Sequence, residues 1–143
     1  MKVAVIAGSK SDEEILNAVC RNLEGFGIAF KSKILSAHRN HEELEEFVQK
    51  SDAEVFIAIA GLSAALPGFI VSLTTKPVIG IPVASQNSVA GGLDSLLSIV
   101  QMPSGVPVAC VGINNARNAA ILAAQILSMR YPKLKKILAA AKA

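Results

Sequence analysis

Two short polar stretches carry the residue types that can do chemistry. Gly8-Ser9-Lys10-Ser11-Asp12 follows the apolar run Val3–Ala7, and Ser36-Ala37-His38-Arg39 follows Phe30–Leu35. The first offers small hydroxyls, a carboxylate and backbone N–H groups at a helix start, a set suited to phosphate or ribose hydroxyls. It also reads as a plain turn, with Gly8 making the bend and Ser11 capping a helix, and its spacing leaves both open. It is neither a P-loop, which needs Gly-Lys-Ser/Thr, nor a dinucleotide fingerprint, which needs Gly-x-Gly-x-x-Gly.

The second stretch holds His38, one of two histidines in the chain. An imidazole has an ordinary pKa near neutrality and suits proton transfer. Arg39 beside it suits bidentate grip of a phosphate or carboxylate. The alternative is a surface loop before an acidic helix, with Arg39 paired to Glu42 or Glu43. His38 and His41 as a metal pair lack further ligands at an established spacing, so no metal is expected. A third stretch, Ala60–Gly68, is rich in small residues that let backbone approach a flat ligand, or that allow tight helix–sheet packing. Gln101–Gly105 reads either as a source of main-chain donors or as a simple turn.

The elements that must position these stretches alternate along the chain. Strands are expected at Lys2–Ala7, Ile28–Leu35, Val55–Ala60, Val78–Ile81 and Val106–Val111. Helices are expected at Asp12–Phe26, His41–Lys50, Leu66–Leu73, Gly92–Val100, Asn115–Ser128 and Tyr131–Lys142, where apolar residues recur at helical spacing. Ser11 with Glu14 resembles a capping box, and Asn40 with Glu43 resembles another. Pro82–Gly91 is expected to be an irregular loop. Alternating strands and helices with short connections predict a parallel sheet covered on both faces. In such a sheet, ligands bind at the carboxyl ends of the strands, where the strand order reverses.

Composition narrows the class. At 143 residues the chain is expected to be one domain, 1–143. Apolar residues make up 52% but aromatics only 4%, so the core is built from Val, Ile, Leu and Ala. The net charge of +3 owes much to Arg130, Lys133, Lys135, Lys136 and Lys142. Without an aromatic platform, that cluster reads as a solvated helix face and not as a nucleic-acid site. Cys20 and Cys110 match no metal or redox spacing and read as reduced, buried thiols of a cytoplasmic protein. No signal peptide is expected, since a polar loop follows the first strand. Val55–Thr75 carries no charge, but Gly61, Ser63, Pro67 and Gly68 break it, so no membrane helix is expected. The Ala-rich helix Ala116–Leu127 is apolar almost all round, as though another subunit covered part of it.

The ordered set of motifs resembles the aminoimidazole ribonucleotide carboxylase family of purine biosynthesis. The residues that carry it are Gly8-Ser9-x-Ser11-Asp12, Ser36–Arg39, Ala60-Gly61 with Leu66-Pro67-Gly68, Pro77–Val83, Gly92–Pro103 and Asn118-Ala119-Ala120. The resemblance implies a three-layer αβα sandwich of flavodoxin-like type with a five-stranded parallel sheet, a single catalytic domain and a homo-octamer. It implies a ribonucleotide substrate and no cofactor. The product would be 4-carboxy-5-aminoimidazole ribonucleotide, made by moving the carboxylate of 5-(carboxyamino)imidazole ribonucleotide from nitrogen to C4. His38 matches the family's acid/base histidine, and Ser9, Asp12 and Arg39 its substrate-binding residues; Ser36 lies in the same motif, toward the phosphate end. Ala65 stands where members of bacterial mutase type have a histidine, which favours the alternative of direct carboxylation with carbon dioxide. Arg39 and Val100–Pro103 follow the mutase branch. A rival of another class is a non-catalytic nucleotide-binding module on the same fold.

Overall fold

The computed structural model describes residues 2–141, so Lys142 and its place in the last expected helix lie outside the described residues. Five strands form one parallel sheet: β1 (Val3–Ala7), β2 (Phe30–Ile34), β3 (Val55–Gly61), β4 (Val78–Val83) and β5 (Ala109–Cys110), in the order β2-β1-β3-β4-β5. Alternate side chains of the buried strands enter opposite cores. Val3, Val5, Ile57 and Ile81 pack with α1 (Glu13–Gly25), α5 (Ala116–Ser128) and α6 (Leu134–Ala141). Ala4, Ile6, Phe56 and Ala58 pack on the other face with α2 (His41–Lys50), α3 (Leu66–Leu73) and α4 (Leu93–Val100). This is the expected three-layer αβα sandwich.

α4 rests directly on the sheet at Gly80. A Cβ there would lie 2.6 Å from Ile99 Cγ2. β2 is an edge strand with Lys31, Ser32, Lys33 and Ile34 exposed. Below the sheet, at the amino ends of the strands, Glu54 accepts from Arg130 Nη1 (2.9 Å) and from the Tyr131 hydroxyl (3.0 Å). Lys2 lies 3.8 Å from the same carboxylate and 3.6 Å from the Tyr131 ring centre.

Several expectations are corrected. The run Val106–Val111 pairs over Ala109–Cys110 alone. Pro107, inside the run, has no N–H to give a ladder, and Pro82 limits the other end. The Pro82 carbonyl faces the β5 side, where it accepts from Asn114 N, so its missing N–H faces that side too and ends the ladder. β4, by contrast, runs two residues further than expected, to Val83. The Ser11–Glu14 box does not form: Ser9 caps a short 3-10 turn, Lys10–Asp12, by accepting from Ser11 N, and α1 follows with no side-chain cap at Asp12. Asn40 makes no side-chain cap to α2 either. Cys20 and Cys110 are half-buried; burial pushes both thiols above their ordinary pKa. Among the described residues, no helix is long and apolar enough to cross a membrane.

Candidate active site

The strand order reverses between β1 and β3, and a cleft of about 420 Å³ opens at their carboxyl ends. That volume lies in the range of small-molecule sites. The cleft brings together all five residues singled out from the sequence: Ser9, Asp12, Ser36, His38 and Arg39. Each is there because a strand stops beneath it. Ala7 ends β1, and the Gly8 N–H donates to Ile59 O (3.0 Å), which anchors the first loop on β3. Ser9 then turns the chain; its hydroxyl accepts from the Ser11 hydroxyl at 3.0 Å. Asp12 closes the turn, its N–H donating to Ser9 O at 3.1 Å.

Asp12 is 7% exposed, so its carboxyl sits in a poor solvent for charge. Desolvation raises its pKa, and the Ser11 hydroxyl bond partly offsets that. A carboxylate short of hydration is a strong acceptor for ligand hydroxyls.

The second loop is locked from within. Ser36, 6% exposed, accepts from the backbone N–H groups of His38 and Arg39, both at 3.3 Å. This turn fixes the backbone and leaves the His38 and Arg39 side chains exposed at the cleft. Arg39 does not pair with Glu42 or Glu43; its Nη2 donates to Gly8 O at 3.2 Å.

Ala60, Gly61, Ala64 and Ala65 line the cleft with small side chains or none. A Cβ on Gly61 would meet Val83 at 3.4 Å. Leu62, next to it, has φ of +51° and is 49% exposed. A branched residue held in the left-handed region costs about 1–2 kcal/mol, and such strain clusters at ligand sites. Nothing in the residue type of Leu62 announces it. The far wall is Val83, the end of the Pro77–Val83 motif, with Ser85, Gln86 and Asn87, which no sequence motif marked. Their loop is self-braced: Ser85 N donates to Ser88 Oγ (2.8 Å) and Ser88 N to Ser85 O (3.0 Å).

Two expected contributors lie elsewhere. Gln101–Gly105 is outside the cleft lining, and Met102 packs behind α3 against Gly68, where a Cβ would sit 3.1 Å from its sulfur. His41 opens α2 and does not join His38 in the cleft. Among the described residues, no group of three or more His, Cys, Asp or Glu side chains is placed to hold a metal ion.

A desolvated carboxylate, a guanidinium and an imidazole around small residues are groups that can bind a polar metabolite and move a proton. The chain is 51% identical over 137 residues to the N5-carboxyaminoimidazole ribonucleotide mutase of Pyrococcus horikoshii, covering 94% of this chain and 76% of that one. It is 51% identical over 134 residues to the enzyme of the same name from Methanocaldococcus jannaschii, covering 94% and 83%. The crystal structure of Treponema denticola PurE superposes with a TM-score of 0.88 at 30% identity, covering 98% of this chain and 88% of that one. The family profile described as AIR carboxylase matches residues 2–143, and the chain belongs to that family.

Proposed function

We propose that this chain forms 4-carboxy-5-aminoimidazole ribonucleotide in purine biosynthesis, by moving the carboxylate of 5-(carboxyamino)imidazole ribonucleotide from the exocyclic nitrogen to C4. One observation carries the reading: Ser9, Asp12, Ser36, His38 and Arg39 meet in one cleft, on a chain 51% identical to relatives bearing the mutase name.

Ser9 and Ser36 hydroxyls with the Arg39 guanidinium hold the phosphate and ribose, and Asp12 accepts from ribose hydroxyls. The imidazole lies over Ala60–Gly61 and Ala64–Ala65. The N–carboxyl bond breaks with release of carbon dioxide, and its electron pair stays on nitrogen, which takes a proton from His38. The enamine-like C4 then attacks the carbon dioxide held in the cleft. His38, now a neutral base, takes the proton from C4 and restores aromaticity. One group thus gives and regains a single proton, which suits an imidazole. The chain works without metal, biotin or ATP, as a single catalytic domain over 1–143, in the cytoplasm. It assembles as a homo-octamer; the exposed apolar stripe Leu93, Leu97 and Val100 on α4 favours burial against another copy.

Direct carboxylation of aminoimidazole ribonucleotide is the second reading, favoured by Ala65 in the cleft lining where a histidine is expected of a bacterial-type mutase. Assays of the purified protein with each substrate decide between them. Turnover of the carboxyamino substrate without added bicarbonate supports the mutase. Turnover confined to aminoimidazole ribonucleotide plus carbon dioxide overturns it.

A further inference from the structure

The far wall of the cleft leaves the sheet where the sheet has lost a rung. β5 ends at Cys110, and the last regular bond on that side runs from Val111 N to Gly80 O at 3.2 Å. Beyond it Pro82 has no N–H to give. The carboxyl end of β4 nevertheless remains paired, because Asn114 takes the place of a strand residue. Its N–H donates to Pro82 O at 2.9 Å, and its side-chain Oδ1 accepts from Ala84 N at 3.0 Å. A residue in a parallel ladder donates its N–H to one carbonyl and accepts, through its own carbonyl, from the N–H two residues on. Asn114 reproduces that pattern across Val83 with a carboxamide oxygen standing in for the main-chain one. It does so at φ of +57°, a conformation that Asn and Asp tolerate better than other non-glycine residues.

The neighbourhood leaves Ala84 little freedom. The hydroxyl of buried Ser95 donates to Val83 O at 3.0 Å. Gly92 is so close that a Cβ on it would lie 3.1 Å from Ala84 Cβ and 3.2 Å from Ile113 Cγ2. Ser85, Gln86 and Asn87, which line the cleft, follow at once. We infer that Asn114 is a positioning residue: it finishes the β4 ladder where Pro82 breaks it, and so sets the Ser85–Asn87 wall against a bound ribonucleotide. The ligand part of this inference rests on the ribonucleotide reading above; the wall-holding part does not.

Two variants separate the acceptor from the backbone. Asn114→Gly keeps the left-handed φ and the N–H and removes only the carboxamide. Asn114→Asp keeps an acceptor at the same place. One lost hydrogen bond predicts that Asn114→Gly raises KM about fivefold, with kcat within about twofold of wild type. Asn114→Asp restores KM. Hydrogen exchange is expected to speed up about fivefold or more in peptides covering Ala84–Asn87 of Asn114→Gly, and not elsewhere. Unchanged exchange in those peptides overturns the inference, as does acceleration spread over the whole chain. Unchanged KM with local acceleration overturns its ligand part. A wild type that turns over neither substrate, with the local acceleration intact, overturns the ribonucleotide reading and leaves the wall-holding role standing.

Discussion

Arg39 Nη2 reaches back to the carbonyl of Gly8 at 3.2 Å, so the loops above β1 and β2 are tied to each other across the cleft mouth. The bond orients a guanidinium that has further N–H donors to offer a ligand. Arg39→Ala is therefore expected to raise KM about tenfold or more, since bonds to charged groups are the stronger kind. Arg39→Lys is expected to recover only part of that, because an ammonium cannot serve Gly8 and a phosphate in the same fork geometry. Steady-state kinetics with the carboxyamino substrate measure both.

His38 is exposed, and its turn is held by its backbone N–H on Ser36, not by its ring. His38→Asn should leave the melting temperature within about a degree or two, as surface changes do. Turnover should fall about a hundredfold to ten-thousandfold, the size of a lost acid/base group. Near wild-type turnover would remove His38 as the proton carrier and favour a binding module.

Asp12 supplies a pH dependence with a definite sign. Burial raises its folded pKa above the ordinary 3.8. The folded state then holds the proton longer than the unfolded one, so this group's contribution is most favourable below the unfolded value and is lost as pH rises through the folded one. Asp12→Asn is expected to melt higher than wild type at neutral pH, with the gap closing toward about pH 4. The same variant should bind ribonucleotide more weakly. Thermal melts across that range check the first point; a gap that widens on acidification would refute it.

Gly80 lies under α4 with no room for a side chain. Gly80→Ala forces Ile99, Val108 or Pro67 to move, and overpacking of this kind costs about 1–3 kcal/mol. Urea unfolding should show it as a lower midpoint with an unchanged slope.

Much of this molecule is legible in its residues, for identifiable reasons. β3 carries no charge because both its faces are buried, and that run is visible without coordinates. Ser36–Arg39 could be found because polar residues at a strand end are where open sheets bind ligands. The misses have other causes. Ser85–Asn87 follows Ala84, which Asn114, 30 residues later, holds. Leu62 became strained only because β3 runs one residue past Ala60 before the chain turns. The apolar run Val106–Val111 misled because it holds Pro107, which has no N–H for a ladder, and because Pro82 on the neighbouring strand has none either. For the wall and for the carboxyl end of β5 the deciding residue is distant in sequence, beyond the reach of local pattern.

The bare edge of β2 has a bearing on how the chain behaves when crowded. An open edge invites lateral growth into fibrils. Two such edges meeting antiparallel about Ser32 would set Lys31 of one against Lys33 of the other; meeting parallel and in register, each lysine would face its own copy. Either way ammonium groups would be pressed together between strands about 5 Å apart. Through two lysines that take no part in the cleft, the edge therefore discourages stacking on itself.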